Sequence, residues 1–371
     1  MNKKIFLVFP ANASGTNDSI WTKNLYLPLL DMGFKVYFLD YNKLKNDKNL
    51  KTIDDISEKI YSVFIAEHSK ERFDYFFYYL NSSHINSGLI GRISEKVFTI
   101  NYTTNFHQFS NYIEQINSSG INIYVSKIAE NEMSKITDKY YWMPFAANPK
   151  YYFPREKVAG KSLSFLGSRY GPRPYYLWRI LQNNLPIRIY GPKWKIDFRS
   201  MILRGLYSFY LNLRSDKRSL DQTYRFLNEQ ILFNINKYNK NNLFGPLSDD
   251  DYLAELSESF AVLNIPESRY DHDFNNPDVL ICTNLRDFEV TMSGTLLFTQ
   301  KSDELDLLFN DGSEVIAYRN EFEMVDKIKY YLSHEDEAIK IAYNGYLRAS
   351  RDHTWQKRFT DLFNHIQKNF G

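Results

Sequence analysis

The chain has 371 residues, more than a single compact core usually holds, and this length predicts two domains. Its 46 lysines and arginines nearly balance its 44 aspartates and glutamates, so the net charge of +2 excludes a dedicated nucleic-acid binder with a dense basic face. The single cysteine, Cys282, cannot form an internal disulfide, and the sequence contains no run of about 18 apolar residues that could span a bilayer. We therefore expect a cytoplasmic protein.

The first part of the chain alternates predicted strands with predicted helices. Residues 4–9 form a continuous apolar run, typical of a strand buried in a parallel sheet. A helix with one apolar face follows and ends at Gly33. This alternation indicates an α/β layered sheet. Further strands are predicted at 35–39, 75–78, 96–100 and 121–125.

The same alternation begins again after Pro154. A cluster of prolines and charged residues between Pro144 and Pro154 predicts a domain boundary. We expect two Rossmann-like, doubly wound domains, 1–150 and 151–353, that face each other across a cleft at the carboxyl ends of their strands. Residues 354–371 predict a C-terminal helix that packs back across the boundary. Strands of the second domain are predicted at 162–166, 186–190, 260–265 and 295–299.

Residues 199–240 interrupt the second domain and predict a helical insertion with clustered basic residues. This segment is either a solvated helical pair or a patch that makes peripheral contact with an anionic membrane, on the inner membrane face. The solvated pair is the favoured interpretation, because no continuous amphipathic helix with a clean apolar face is present. The basic residues that would contact such a membrane are Arg204, Arg214, Lys217 and Arg218.

A predicted helix that begins after Asn284 has the features of an anion-binding terminus. Asn284 is a good N-cap and Asp287 completes a capping-box pattern, so the free N–H groups of this terminus suit a diphosphate. Glu289 lies on the same helix, where its carboxylate could accept both hydroxyls of a ribose. Alternatively, Arg286 and Glu289 form an exposed ion pair across one helical turn. Gly294 is expected to end the helix.

Two further loops follow predicted strands of the second domain. Gly167 and Ser168 form a turn after the first of these strands, and Arg169 and Arg173 could clamp a diphosphate there or be surface charges. Gly191 ends the next strand. The stretch 245–248, which includes Leu247, is either a nucleobase contact or a plain turn that caps a helix.

Several of these stretches, in this order, resemble the CgeB-like glycosyltransferases over roughly residues 120 to 360. The resemblance implies a GT-B fold with a C-terminal domain of the family 1 type. It implies a nucleotide-sugar donor (UDP-, GDP- or TDP-sugar), no cofactor and no bound metal. The expected acceptor is a glycan, a lipid-linked molecule or a protein, in surface polysaccharide or glycoconjugate assembly. The matching stretches are 141–146, 149, 153–154, 165–168 with Arg173, 190–194, 284–294, 304–309, 314–318, 327–332 and 353–355 with Arg358.

The same resemblance assigns roles and shows one departure. It places Glu289 on the donor nucleotide, Arg169 and Arg173 on the diphosphate, and Leu247 near the nucleobase. Related retaining enzymes carry two glutamates separated by seven residues, but the position that precedes Glu289 by eight is Ile281. The acidic and aromatic loop 270–273 is either a substitute contact or a solvated loop, and its residues lack the further ligands of a metal site.

A general base is expected from the first domain, near the acceptor hydroxyl. Asp18, in the loop after the first strand, and His107, after the strand at 96–100, are the candidates. Their alternatives are a helix N-cap for Asp18 and a surface imidazole for His107.

Two other functions fit the same sequence. One is a nucleotide-sugar epimerase on the same fold, and the other is a non-catalytic nucleotide- or sugar-binding protein of surface assembly. Hydrolysis by a Ser-His-Asp triad is unsupported because the sequence has no GxSxG elbow, and the phosphate-binding pattern GxxxxGK[ST] is also missing.

Overall fold

The computed structural model describes residues 3–11, 20–104, 111–157, 163–197, 199–200, 202–203, 206, 230–237, 239–267 and 280–371, except for the side chain of Ser87. Two compact units make up the chain. Unit 1 consists of Met1–Asn148 with His353–Gly371, and unit 2 is Pro149–Asp352. Asp18, His107, the loop 270–273 and most of the predicted insertion lie outside the described residues.

Strands and helices alternate along both units, which confirms the predicted α/β fold. The strands are β1 (Lys4–Phe9), β2 (Lys35–Asp40), β3 (Tyr75–Tyr78), β4 (Phe98–Thr103), β5 (Ile121–Tyr124), β6 (Tyr140–Trp142), β7 (Leu163–Leu166), β8 (Ile187–Tyr190), β9 (Ala261–Leu263), β10 (Leu296–Gln300) and β11 (Ile316–Tyr318). The helices are α1 (Leu27–Asp31), α2 (Tyr41–Lys45), α3 (Ile53–Lys70), α4 (Ser87–Ser94), α5 (Ile113–Ser118), α6 (Glu130–Ile136), α7 (Arg173–Gln182), α8 (Asp249–Glu258), α9 (Leu285–Met292), α10 (Asp303–Leu308), α11 (Glu321–Ser333), α12 (Glu335–Asp352) and α13 (Trp355–Phe370). A π-helical turn at Thr22–Tyr26 precedes α1, and short 3-10 turns lie at Lys127–Ala129 and Lys240–Asn242.

The described strands of unit 1 form a parallel sheet in the order β2-β1-β3-β4-β5-β6. Its apolar strands are buried on both faces, as a parallel sheet covered by helices requires. The C-terminal helix α13 belongs to this unit, because its Phe359 packs against Phe77 of β3 and its Phe363 against Tyr75. Strand order reverses at β1, which has β2 on one side and β3 on the other.

The described strands of unit 2 form a second parallel sheet in the order β11-β10-β9-β7-β8. Strand order reverses at β7, which lies between β8 and β9. In open α/β sheets, ligands bind beyond the carboxyl ends of the strands at such a reversal. The loops after β7, β8 and β9 are therefore the first place to look for a site in this unit.

Candidate functional site

The loops after β7 and β8 approach each other more closely than a side chain at position 191 would allow. Gly191 has a φ of 134°, and a Cβ at this position would lie 2.3 Å from the Gly167 carbonyl oxygen. Trp194 Nε1 donates to the same oxygen at 2.7 Å, and the Gly167 N–H donates to Tyr190 O at 2.9 Å. Glycine is therefore required at 191 by both conformation and space. The result is a rigid turn at the carboxyl edge of the sheet.

Arg173, the first residue of α7, donates a hydrogen bond to this turn. Its Nη1 donates to Ser168 O at 2.9 Å and its Nε to Ile265 O at 3.2 Å, while the guanidinium lies 3.8 Å from the Tyr170 ring centroid. Arg173 is buried, so the interpretation as a surface charge is wrong for this residue. Burial lowers the pKa of Arg173 to about 10, which leaves it charged at neutral pH. Among the described residues, its recorded partners are carbonyl oxygens and aromatic rings, and no ion pair with a carboxylate is found.

Ser168 and Arg169 lie on the outer side of the same turn and are half-buried. The Arg169 N–H donates to Pro192 O at 3.4 Å, which joins the turn after β7 to the residues after β8. The amides of Gly167 and Arg169 thus already have partners within the protein. A phosphate contact at this turn would come from side chains more than from these two amides.

Helix α9 begins as its sequence predicts. Asn284 accepts from the Arg286 N–H at 2.9 Å, and Asp287 Oδ2 accepts from the Asn284 N–H at 2.8 Å, so the predicted capping box is confirmed. Asn264, which follows β9, donates to Asp287 Oδ1 at 2.8 Å. Desolvation raises the pKa of Asp287, although these hydrogen bonds act against it. Gly294, at a φ of 65°, follows the end of the helix as expected.

Glu289 lies in the second turn of α9 with 1% of its surface exposed. Tyr152 donates to its Oε1 at 2.7 Å, Tyr252 donates to its Oε2 at 2.5 Å, and Arg286 Nη1 lies 3.3 Å from Oε2. Burial raises the pKa of Glu289, and the charge of Arg286 and the hydrogen bond from Tyr152 partly oppose this rise. The ion pair between Arg286 and Glu289 therefore exists, but the alternative interpretation of it as an exposed pair is wrong.

Arg286 connects this carboxylate to the end of β7. Its Nη2 donates to Leu166 O at 2.6 Å, and its guanidinium lies 4.8 Å from the ring centroid of Tyr252. Arg173 bonds the carbonyl of Ser168, two residues further along. The two guanidinium groups are close enough that the charge of Arg286 helps to lower the pKa of Arg173. Two cations at the end of one strand form a site suited to a multiply charged anion.

The loop that contains Leu247 lies beside the turn after β8. The Gly191 N–H donates to Gly245 O at 3.2 Å, and Leu247 is half-buried. Ser248 accepts from the Asp251 N–H at 3.2 Å and caps α8. The stretch 245–248 therefore does cap a helix, through Ser248. This cap assigns no role to the side chain of Leu247.

Sequence reasoning missed Tyr152 and Tyr252 as partners of Glu289. They lie 137 and 37 residues away along the chain, so no local spacing could reveal the contact. Ile281, where related enzymes have a glutamate, is half-buried. In the described segment directly after β9, residues 264–267, the carboxylate is that of Glu267. It is buried and accepts from Gln300 Nε2 at 2.8 Å.

The described part of the chain contains no group of three or more His, Cys, Asp or Glu residues that could hold a metal ion. Among its described helices, none combines the length and the apolar character that crossing a bilayer requires.

Comparison with known proteins bears on both units. A family model described as "Glycosyl transferase-like" matches residues 177–364, just over half of the chain. No curated protein matches the chain at a significant level of sequence similarity.

Similar solved structures cover the whole chain at low identity. Sucrose-phosphate synthase from Thermosynechococcus elongatus has a TM-score of 0.66 at 12% identity, covering 100% of this chain and 99% of its own. Anabaena Alr3699/HepE in complex with UDP and glucose has a TM-score of 0.59 at 10% identity, covering 99% and 100%. A putative UDP-N-acetylglucosamine 2-epimerase from Listeria monocytogenes has a TM-score of 0.56 at 11% identity, covering 100% and 97%. At these identities the likeness shows the fold, which is GT-B with two Rossmann-like domains. Together with the family model, it shows that the chain belongs to the glycosyl transferase-like family.

Proposed function

We propose that this chain transfers a sugar from a UDP-sugar to a hydroxyl group of an acceptor. The observation that carries the proposal is the convergence of Arg173, Arg286 and Glu289 at the carboxyl edge of the unit 2 sheet, around the turn that Gly167 and Gly191 form. Two cations and one carboxylate in this arrangement match a nucleoside diphosphate, which has two phosphates and a ribose diol. HepE, which has the same fold, was solved with UDP and glucose.

The diphosphate would bind to the two arginines, Arg173 and Arg286, with Arg169 and Ser168 at the rim of the turn. Negative charge grows on the diphosphate as it leaves the sugar, and fixed cations in a partly desolvated site stabilise that charge most strongly in the transition state. Two hydrogen bonds to carbonyl oxygens hold the buried Arg173 side chain in place, so it needs little reorganisation when the charge on the diphosphate develops.

The ribose would bind to Glu289 in place of the Tyr252 hydroxyl. Tyr252 is half-buried, whereas Tyr152 is buried, so the hydrogen bond from Tyr252 is the one that a ligand can displace. Leu247, on the loop beside Gly191, is proposed to contact the nucleobase. Asn284 would support this arrangement by fixing the start of α9.

Finer assignments also belong to this proposal. The CgeB-like group is the proposed branch of the family, the acceptor is a glycan, a lipid-linked molecule or a protein, and the reaction needs no bound metal. Asp18 or His107 is the proposed general base. Both lie outside the described residues.

A ligand panel and one substitution test the proposal. UDP, GDP, TDP and CMP would be compared by thermal shift, where a ligand at a hundred times its Kd stabilises the fold by about 2.7 kcal/mol. Glu289→Ala should raise the Kd for UDP by about 10- to 100-fold, since a hydrogen bond to a charged group contributes about 1.5–3 kcal/mol. Glu337→Ala is the matched control, because Glu337 also accepts a tyrosine hydroxyl in unit 2 but is exposed.

Unchanged UDP affinity in Glu289→Ala, measured by calorimetry, would remove the ribose assignment. Isomerisation of a UDP-sugar without any acceptor would replace transfer by epimerisation. Binding of UDP without turnover of any UDP-sugar would favour a non-catalytic binding protein.

A further inference from the structure

The carboxyl edge of the unit 1 sheet carries aromatic rings and hydroxyl groups that the proposed donor site does not use. The strand order of this sheet reverses at β1, and open α/β sheets bind ligands beyond such a point. Trp21 follows β1 along the chain, Tyr79 follows β3 and Thr104 follows β4. The Tyr79 N–H donates to Val8 O at 3.0 Å, which places Tyr79 directly at the reversal.

The rings form one cluster around Trp21. Its ring centroid lies 5.2 Å from that of Tyr79, 6.1 Å from that of Tyr102 and 6.5 Å from that of Phe145. Tyr102 is buried, whereas Trp21, Tyr79 and Phe145 are half-buried and keep part of their surface accessible. The largest ring of the cluster, the indole of Trp21, is thus among those that keep accessible surface.

Hydroxyl groups lie beside these rings. The hydroxyls of Tyr79 and Thr104 are 2.7 Å apart. The Tyr102 hydroxyl is buried without a hydrogen-bond partner among the described residues, which is unfavourable unless a ligand or water satisfies it. Burial raises the pKa of Tyr79 and Tyr102, so both hydroxyls remain neutral at physiological pH.

The described residues around these rings offer little free positive charge. Lys23, two residues after Trp21, is buried and has a partner of its own. Arg358 acts electrostatically on Tyr102, but its guanidinium donates to Pro144 O and Phe145 O. A phosphorylated ligand would need cations here, and a neutral one would not.

We propose that this cluster binds a neutral sugar residue at the end of the acceptor, with the sugar ring stacked on Trp21 and its hydroxyls bonded to Tyr79 and Thr104. A pyranose has an apolar C–H face and a rim of hydroxyls, and the cluster offers an accessible indole beside neutral donors and acceptors. The inference rests on the proposed function and narrows its acceptor to a glycan terminus.

The test uses the full chain with 15N-labelled tryptophan, in which the Trp21 indole signal is assigned by comparison with Trp21→Ala. The probes are methyl glycosides of glucose, galactose, mannose and N-acetylglucosamine, octyl glucoside, and glucose 1-phosphate. At least one neutral glycoside should shift the Trp21 signal. Trp21→Ala should raise the Kd of that glycoside about tenfold, as expected for loss of an aromatic contact. Trp142→Ala in β6 should leave the Kd unchanged.

Tyr79→Phe provides a second variant that keeps the ring packing, in case Trp21→Ala does not fold, and it should weaken glycoside binding as well. Equal affinity for methyl and octyl glucoside assigns a free glycan, and tighter binding of the octyl form assigns a lipid-linked one. A response to glucose 1-phosphate alone, or to none of the probes, overturns the inference. UDP added to the same samples keeps the two proposals apart. If UDP binds and Trp21 does not respond to any glycoside, only the acceptor inference fails.

Discussion

The ionisation of Glu289 depends on a few neighbours whose effects oppose each other. Burial favours the neutral acid, whereas Arg286 and the hydroxyl of Tyr152 favour the carboxylate. A carboxyl group whose pKa is raised in the folded state binds more protons than it does in the unfolded chain. Its contribution to the free energy of unfolding therefore decreases as the pH rises from its usual value through the raised pKa. At any pH above the raised pKa, the site therefore gives up some stability to hold an ionised carboxylate.

Binding of UDP should therefore depend on pH through Glu289. The carboxylate accepts both hydrogen bonds of a ribose diol more strongly than the neutral acid, which keeps only part of this acceptor capacity, so UDP affinity should fall as the pH falls through the raised pKa. In Tyr152→Phe the pKa should rise further, which moves this loss of affinity to higher pH. Calorimetric titrations from about pH 5 to about pH 8 would measure the shift.

Two variants control this experiment. Tyr252→Phe removes the hydroxyl that the ribose is proposed to displace, so its UDP affinity at neutral pH should be unchanged or higher. Glu289→Gln has no titrating group at this position and should lose the acid limb of the profile. If Glu289→Gln binds UDP weakly but Tyr152→Phe leaves the pH profile unchanged, then Glu289 binds the nucleotide and Tyr152 does not determine its ionisation.

At the scale of elements, local sequence determines most of the sheets and little of the contacts between them. Strands β1 and β3 match their predicted bounds, because each is a continuous apolar run. Strand β4 begins at Phe98, two residues later than predicted, and extends to Thr103. Strands β6 and β11, of three residues each, were not predicted.

In the candidate site too, contacts between residues close in sequence were predictable, whereas contacts between distant residues were not. The capping box of α9 was predictable because Asn284 and Asp287 lie three residues apart. The burial of Arg173 and the hydrogen bond from Tyr152 to Glu289 were not, because both depend on residues brought together by the fold. The requirement for glycine at 191 also depends on Gly167, 24 positions earlier in the chain, so the sequence shows the glycine but not the contact.

The turn that joins the ends of β7 and β8 can be tested at Gly191. Alanine there would combine an unfavourable positive φ with a Cβ 2.3 Å from the Gly167 carbonyl oxygen. We expect Gly191→Ala to lower the free energy of unfolding by about 2–5 kcal/mol and to weaken UDP binding, since the turn positions Arg173. Gly245→Ala is the matched control, because no atom lies within 4 Å of its added Cβ. Denaturant unfolding with equal effects for both variants would show that the close approach does not govern stability.

At the scale of the whole molecule, each unit has its own core, and the chain contributes to unit 1 twice. The residues that lead out of unit 1 are tied to those that return, because the Ala147 N–H donates to His353 O at 3.1 Å. Arg358 of α13 then donates to Pro144 O at 3.0 Å and to Phe145 O at 3.3 Å. Unit 1 therefore needs α13 to complete its fold.

Phe359 provides the test of this dependence. It is fully buried in α13 and packs against Phe77 of β3, so Phe359→Ala should destabilise unit 1 by about 3–5 kcal/mol. Phe370→Ala makes the same substitution on the same helix at a residue that is 42% exposed, and should cost less than about 1 kcal/mol. Hydrogen exchange followed by mass spectrometry would distinguish the units, because Phe359→Ala should accelerate exchange in β1, β3 and β4 but leave β7, β9 and β10 protected. Equal acceleration in both sheets would mean that the two cores unfold together, and no acceleration in β3 would mean that α13 does not support the unit 1 core.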